Sequence, residues 1–225
     1  MANLTESDYK VAQAGDAKIR QEFLAELDLE DASDYIRRVE YDYKGKQILS
    51  SFAKQNEITV NDIYAMSIHP TFPLSWFTKK SVVAVYPKLF NRSFSRFKST
   101  VIDHEGYHCA QYIERGEDII QEFIKDPFIF TDARMVSDYM RSLRECLAYS
   151  SQLQKHVERG LTEDEEMEIR ESIFDQVLFA VDFFHGRDII RDLEFMLCKA
   201  PRDITSREVL FPFMRDMQEK YGGAR

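Results

Sequence analysis

The 225-residue sequence contains little cysteine, glycine, proline and tryptophan. Its three cysteines, Cys109, Cys146 and Cys198, lie far apart and form no CxxC pair, which excludes a zinc ribbon and favours a reducing compartment. Only 8 glycines and 6 prolines are present, so long flexible linkers are not expected. Because 44% of the residues are hydrophobic, the chain can bury a core, and we expect a single domain over residues 1–225.

The chain also lacks an excess of basic residues and a long apolar run. Lys and Arg total 30 against 39 for Asp and Glu, which disfavours binding to nucleic acid or anionic lipid and favours neutral or basic peptides. The most apolar stretch, Ile173 to Phe184, is interrupted by polar residues and is too short to span a membrane. Residues 1–8 show no secretory signal. We therefore expect a cytoplasmic protein, and its oligomeric state stays open.

The apolar pattern predicts an α+β fold that is predominantly helical. Helical spacing from Asp8 to about Leu29 and from about Ser33 to Phe52 predicts N-terminal helices over residues 1–55. Residues 56–90 predict a small mixed sheet, and residues 91–225 predict helices that end at glycines. The predicted strands are Ile58–Val60, Ile63–Ile68 and Ser81–Tyr86, and the main later helices are Phe97–Arg115, Asp132–Arg159 and Glu163–His185, the last with a capping box formed by Thr162 and Glu165.

An HExxH sequence, His104-Glu105-Gly106-Tyr107-His108, lies in the first of these later helices. The four-residue spacing places the two imidazoles one above the other on one helix face. That face is apolar, so the histidines point to a side where a dry metal site can form. Glu105 projects about a quarter turn away, a position that suits a general base acting on a metal-activated water. The apolar stripe consists of Phe97, Val101, His104, His108 and Tyr112.

Two simpler interpretations of this helix stay open. The histidines could be core residues with satisfied hydrogen bonds, and Glu105 a solvated surface residue. Gly106 costs about 1 kcal/mol relative to alanine in mid-helix, which indicates either a close approach by a neighbouring element or loose packing.

The motif and the strand region before it resemble the zincin metallopeptidases. The resemblance implies that zinc is bound by His104 and His108, that Glu105 is the catalytic base, and that an upstream edge strand, for which Ser81–Tyr86 is the candidate, aligns an extended peptide or protein substrate. The extended metzincin form requires a glycine and a histidine soon after the second histidine, and residues 109–114 do not supply them. The gluzincin branch is therefore the better match, and it implies a third zinc ligand from a glutamate on a later helix.

Glu145 is our choice for this third ligand. Two imidazoles and one carboxylate leave a fourth tetrahedral position for water. Helical spacing puts Glu145 opposite an aliphatic stripe, either exposed or directed into a cleft. Thermolysin-like gluzincins carry an aspartate four residues later, where this chain has Tyr149, a candidate donor to an oxyanion or a packing residue. Other candidates for the ligand are Glu114, Glu117, Asp138 and His156.

Two alternative functions come from other classes of protein. A di-iron carboxylate bundle could use Glu105, His108, Glu145, Asp182 and His185, although it needs a helix where residues 58–86 predict strands and leaves His104 unexplained. A catalytically inactive helical interaction module is the other alternative, because a fold and a motif do not guarantee activity.

Overall fold

The computed structural model describes residues 4–42, 63–70, 78–115, 133–183, 189–197, 210–212 and 215. Within these ranges the chain is mostly helical and contains one small sheet, as the sequence predicts. The residues group into two compact units, the N-terminal unit Met1–Cys109 and the C-terminal unit Ala110–Arg225. The single domain over residues 1–225 stays a prediction.

Along the described part of the chain, two short helices precede the three strands, and the remaining elements are all helical. They are α1 (Glu6–Ala14), α2 (Ala17–Ala25), a 3-10 helix (Glu30–Asp34), β1 (Ile36–Tyr41), β2 (Ala65–Ile68), β3 (Ser81–Val85), a second 3-10 helix (Pro87–Asn91), α3 (Phe94–Lys98), a π-helix (Ser99–Glu105), α4 (Gly106–Arg115), α5 (Ala133–Gln154), α6 (His156–Arg159), α7 (Glu163–Phe183) and α8 (Ile189–Met196).

The first predicted helix is in fact two helices. Its break lies at Gly15 and Asp16, because the Asp16 carboxylate accepts hydrogen bonds from the backbone nitrogens of Lys18 and Ile19 at 2.9 and 3.0 Å and so starts a new helix. Thr5 caps α1 in the same way, with a capping box that includes Asp8.

The helix predicted from Ser33 to Phe52 is wrong where it can be tested, since residues 36–41 form β1. The buried Ile36 and Val39 are three residues apart, a helical spacing, but this spacing arises because the pairing register shifts between Ile36 and Arg38. The sheet therefore begins before the predicted residues 56–90. The predicted strand Ile58–Val60 lies outside the described residues.

The sheet has the order β1-β3-β2, with β3 parallel to β1 and antiparallel to β2. All five residues of the central strand β3 are buried. Val83 and Val85 face the main core of the N-terminal unit, where aromatic rings pack closely, for example Tyr9 and Phe97 with centroids 5.0 Å apart. Ala84 and Tyr86 belong to a smaller cluster with Ile63.

Long helices form the C-terminal unit. Helix α7 buries an apolar stripe and packs against α5, and Gly160, with φ of 67°, ends α6 in the left-handed conformation that favours glycine. The predicted capping box at the start of α7 is confirmed: Thr162 Oγ1 accepts from the Glu165 nitrogen at 3.3 Å, and the Glu165 carboxylate accepts from the Thr162 nitrogen at 3.0 Å. The stripe of α7 consists of Ile169, Ile173, Val177 and Ala180. None of the helices in the described ranges carries an apolar stretch long enough to cross a lipid bilayer.

Candidate metal centre

The HExxH segment lies where a π-helix joins an α-helix. Ser93 caps α3 by accepting a hydrogen bond from the Arg96 nitrogen at 3.0 Å, and the helix widens into the π-form over Ser99–Glu105 before α4 begins at Gly106. Such π-turns occur frequently at functional sites because they displace side chains from regular helical positions. Regular α-helical spacing, which the apolar pattern of this segment indicates, does not predict this widening.

The first half of the motif is buried. His104 and Glu105 are 7% and 6% exposed, whereas His108 is half-buried. The two imidazole rings lie 5.0 Å apart between centroids and are nearly perpendicular, at 84°. The interpretation of Glu105 as a solvated surface residue is therefore wrong.

Gly106 allows the motif helix to approach the first 3-10 helix closely. A Cβ atom at this position would lie 3.0 Å from the Cβ of Ala32, and Ile36 lies just beyond. Close approach by a neighbouring element, and not loose packing, thus explains a glycine in mid-helix.

The Glu105 carboxylate lies in an enclosed environment, and its charge affects two neighbouring groups. Burial, with smaller contributions from Asp42 and Glu105, raises the pKa of Tyr86 to about 12. Burial, together with the charge of Glu105, also raises the pKa of the Cys109 thiol, against a hydrogen bond with the Ser81 side chain. The base proposed from the sequence thus lies beside the sheet and away from bulk water.

The described cysteines are poorly suited to nucleophilic or redox chemistry. Cys109 and Cys146 are both free and fully buried, and burial raises the pKa of each thiol. They act as small apolar core residues. Cys198 lies outside the described residues.

Glu145 is the carboxylate that the structure brings to the two histidines. It is half-buried on α5, and ligand atoms of His104, His108 and Glu145 all lie within 4.8 Å of one another. No other group of three or more His, Cys, Asp or Glu side chains in the described ranges is arranged to hold a metal ion. The three ligands predicted from the sequence therefore form a candidate metal-binding triad.

The other candidate ligands that lie in the described residues do not join this group. Asp138 pairs with Arg141 at 3.3 Å. The His156 Nδ1 lies 2.6 Å from the Leu153 carbonyl oxygen, and its Nε2 lies 3.5 Å from the Glu166 carboxylate. Glu114 is half-buried but is not part of the triad. Glu117 lies outside the described residues, and the oxyanion role of Tyr149, which is half-buried, stays a prediction.

The di-iron arrangement gains no support from these positions. Strands β2 and β3 occupy the segment where it needs a helix, and His104, which it leaves unexplained, belongs to the triad. Asp182 lies in the last turn of α7, and His185 lies outside the described residues.

Ser81–Tyr86, the candidate for an edge strand, does not lie at an edge of the sheet. Strand β3 pairs with β1 on one side and with β2 on the other, so its backbone groups are already used. Within the described residues β1 and β2 are both edge strands that precede the motif helix; β2, with half-buried side chains, contacts the π-helix that carries His104.

The sequence does not predict two polar side chains whose buried atoms have no hydrogen-bond partner among the described residues. The Tyr86 hydroxyl and the Arg144 Nε are both buried, and no hydrogen bond satisfies either of them in the described part of the chain. Burial also lowers the pKa of Arg144. No local pattern could reveal either feature, because both depend on which distant residues surround the side chain.

The chemistry of the triad fits a divalent transition metal, because two imidazole nitrogens and one carboxylate oxygen are common zinc ligands. Ligand atoms around a tetrahedral zinc ion lie about 3.3 Å apart, given bonds of about 2.0–2.1 Å, so small side-chain movements suffice to close the triad. Comparisons of the chain with protein-family models, with curated proteins and with solved structures found no match.

Proposed function

We propose that this protein is a zinc-dependent metallopeptidase with a zincin-like fold of the gluzincin type. One observation carries the proposal: the ligand atoms of His104, His108 and Glu145 lie within 4.8 Å of one another. Four-residue helical spacing accounts for the nearness of the two histidines. It does not account for Glu145, which comes from a different helix.

In this proposal the three side chains bind zinc, and Glu105 acts as the general base. Held by His104, His108 and Glu145, a zinc ion would supply Lewis acidity, which would lower the pKa of a water molecule there toward neutrality and polarise a peptide carbonyl. The Glu105 carboxylate accepts a proton from the attacking water and delivers it to the leaving amide nitrogen. Its burial supports this role, since an enclosed carboxylate does not exchange protons freely with bulk solvent.

The substrate in this proposal is a peptide or protein segment bound in an extended form. Edge strands bind extended peptides through backbone hydrogen bonds. Strand β2 is such an edge within the described residues, and it contacts the π-helix that carries His104. We therefore assign substrate alignment to Ala65–Ile68 and no longer to Ser81–Tyr86.

Metal content and activity together test the proposal. Elemental mass spectrometry of the purified protein should find about one zinc per chain, and His104→Ala should lose it because a protein ligand is removed. His156→Ala is the matched control: this histidine is half-buried but hydrogen-bonded to the Leu153 carbonyl, so the variant should keep its zinc.

Hydrolysis of a mixed peptide library should fall by roughly 10²–10⁴-fold in Glu105→Gln while the zinc is retained. Activity that survives this substitution would refute the assigned base. About two irons per chain would instead favour the di-iron alternative, and no metal after zinc reconstitution would favour the interaction module.

A further inference from the structure

Helix α7 presents apolar side chains to solvent as well as to the core. Met167 and Phe174 are 56% and 39% exposed, and Leu178 is half-buried. Phe174 follows Met167 by seven residues and Leu178 follows Phe174 by four, so the three side chains lie along one side of the helix. With Glu171 between them, they form the outer face of α7. Single exposed apolar residues are ordinary, but a row that extends over about three turns is typical of a protein–protein contact.

The same helix carries most of the net negative charge of the protein. It contains eight acidic residues and one arginine, a formal charge of -7 against -9 for the whole chain. That arginine, Arg170, is paired with Glu166 at 2.7 Å. The helix dipole favours the acidic first turn, Glu163–Glu166, but its effect falls off beyond that turn. It therefore does not account for Glu171 and Asp175, which are both exposed and lie within one turn of the apolar row.

We propose that the outer face of α7 binds an amphipathic helix of another protein whose polar residues are basic. Apolar side chains of that helix pack against Met167, Phe174 and Leu178, as in other complexes of a helix with an apolar surface. Its Lys or Arg side chains pair with Glu171 and Asp175. This binding site goes beyond the proposed function, since it requires neither zinc nor peptide hydrolysis.

A second copy of the chain fits this face less well than a basic helix does. Two α7 helices packed together would place acidic residues opposite acidic residues, and like charges across an interface oppose binding. Glu171 and Asp175 are also four residues apart on one helix, a spacing at which like charges repel. A cationic partner relieves that repulsion, whereas a second acidic helix increases it.

Model peptides test the proposal with the full-length protein. The probe is a fluorescently labelled helical peptide with leucines along one side and lysines elsewhere, and fluorescence anisotropy measures its Kd. One control peptide keeps the leucines and has glutamates in place of the lysines, and a second has the composition of the probe in scrambled order. We expect the probe to bind at least about 10-fold more tightly than either control, because only the probe matches both the apolar row and the charge.

Variants of α7 show whether the probe binds at the outer face. Phe174→Ser and Glu171→Lys should each weaken probe binding by about 10-fold or more. Val11→Ser and Glu22→Lys are the matched controls and should bind like the wild type, because Val11 is 59% exposed on α1 and Glu22 is exposed on α2. Circular dichroism compares the thermal unfolding of all variants. If Phe174→Ser unfolds at a lower temperature than the wild type, Met167→Ser, at a more exposed position, takes its place.

Several results would overturn the inference. They are no binding of the probe, equal binding of the probe and the scrambled peptide, tighter binding of the glutamate peptide, and probe binding that is unchanged in both Phe174→Ser and Glu171→Lys. Analytical ultracentrifugation tests the other occupant of this face. A wild-type dimer that becomes monomeric in Phe174→Ser would assign the outer face to a second copy of the chain and would also overturn the inference.

Discussion

The two regions that supply the candidate metal ligands are built differently. The N-terminal unit carries His104 on a helix above a sheet, within a core of packed aromatic rings. The C-terminal unit carries Glu145 on α5, where many polar side chains are buried among apolar ones. Besides the hydroxyl of Tyr139, which donates to the buried Asp192 at 2.7 Å, these are Ser142, Ser150, Ser151 and Gln152.

Both units bury polar side chains, since Ser99, Asp103 and Glu105 are buried on the π-helix of the N-terminal unit. The two regions nevertheless differ in how far the sequence predicts their ligands. The four-residue spacing predicts that the two histidines lie close together, and the apolar positions beside them indicate which face is buried, although the π-form at His104 has no such local signal. Glu145 has no such local pattern. A single carboxylate on a helix is indistinguishable from a surface residue until the partner elements are known.

The largest expected effect comes from removing the ligand that lacks a local pattern. Glu145→Ala should weaken zinc binding by more than about 100-fold, since loss of an outer-shell partner alone weakens it by about 10–100-fold. Asp138→Ala on the same helix should bind zinc like the wild type, because its carboxylate pairs with Arg141 at 3.3 Å. Competition with a chromophoric chelator measures both affinities, and equal losses would contradict the triad.

The cores of the two units should differ in their response to truncation. Phe97→Ala removes a ring that contacts several others, and we expect a loss of about 4 kcal/mol in the free energy of unfolding. Leu143→Ala, equally buried on α5, should lose about 3 kcal/mol. Urea unfolding followed by circular dichroism tests the order, and a larger loss for Leu143→Ala would show that the aliphatic core is the more tightly packed.

The next largest loss of stability is expected from a larger side chain at Gly106, where the motif helix approaches the first 3-10 helix closely. Gly106→Val places a branched side chain against Ala32, whose Cβ would lie 3.0 Å from the new Cβ, and should cost about 2 kcal/mol. Gly106→Ala should be near neutral, because better helix propensity, worth about 1 kcal/mol, offsets the tight contact. Unfolding midpoints of both variants provide the measurement. Full stability of the valine variant would mean that the 3-10 helix moves aside easily.

Much of the fold could be predicted from the sequence, and the errors of that prediction have physical causes. The strands at Ala65–Ile68 and Ser81–Val85 and the helices of the C-terminal unit follow from local apolar periodicity. β1 was missed because a register shift gives its buried residues a helical spacing. The central position of β3 was missed because strand order depends on long-range pairing. For the same reason, neither the buried Arg144 Nε nor the buried Tyr86 hydroxyl was foreseen.

The smallest effects at neutral pH come from two buried tyrosines with opposite surroundings. The Tyr9 hydroxyl lies 3.2 Å from the carbonyl oxygens of both Leu89 and Arg92, so Tyr9→Phe should cost about 1 kcal/mol. The Tyr86 hydroxyl has no hydrogen-bond partner in the described residues, so Tyr86→Phe should be neutral or slightly stabilising at pH 7. Urea unfolding at pH 7 compares the two variants, and an equal loss for Tyr86→Phe would indicate a partner for its hydroxyl.

At alkaline pH, ionisation of the buried Tyr86 hydroxyl should destabilise the folded chain. Its pKa is about 12 in the folded chain against 10.0 ordinarily, so its neutral form contributes stability that is complete below pH 10 and is lost as the pH rises toward 12. Between pH 8 and 11 the wild type should therefore lose about 1 kcal/mol more than Tyr86→Phe. Urea unfolding at both pH values measures this difference. Parallel losses would mean that the Tyr86 phenolate is solvated, and that Glu105 beside it is less enclosed than its burial implies.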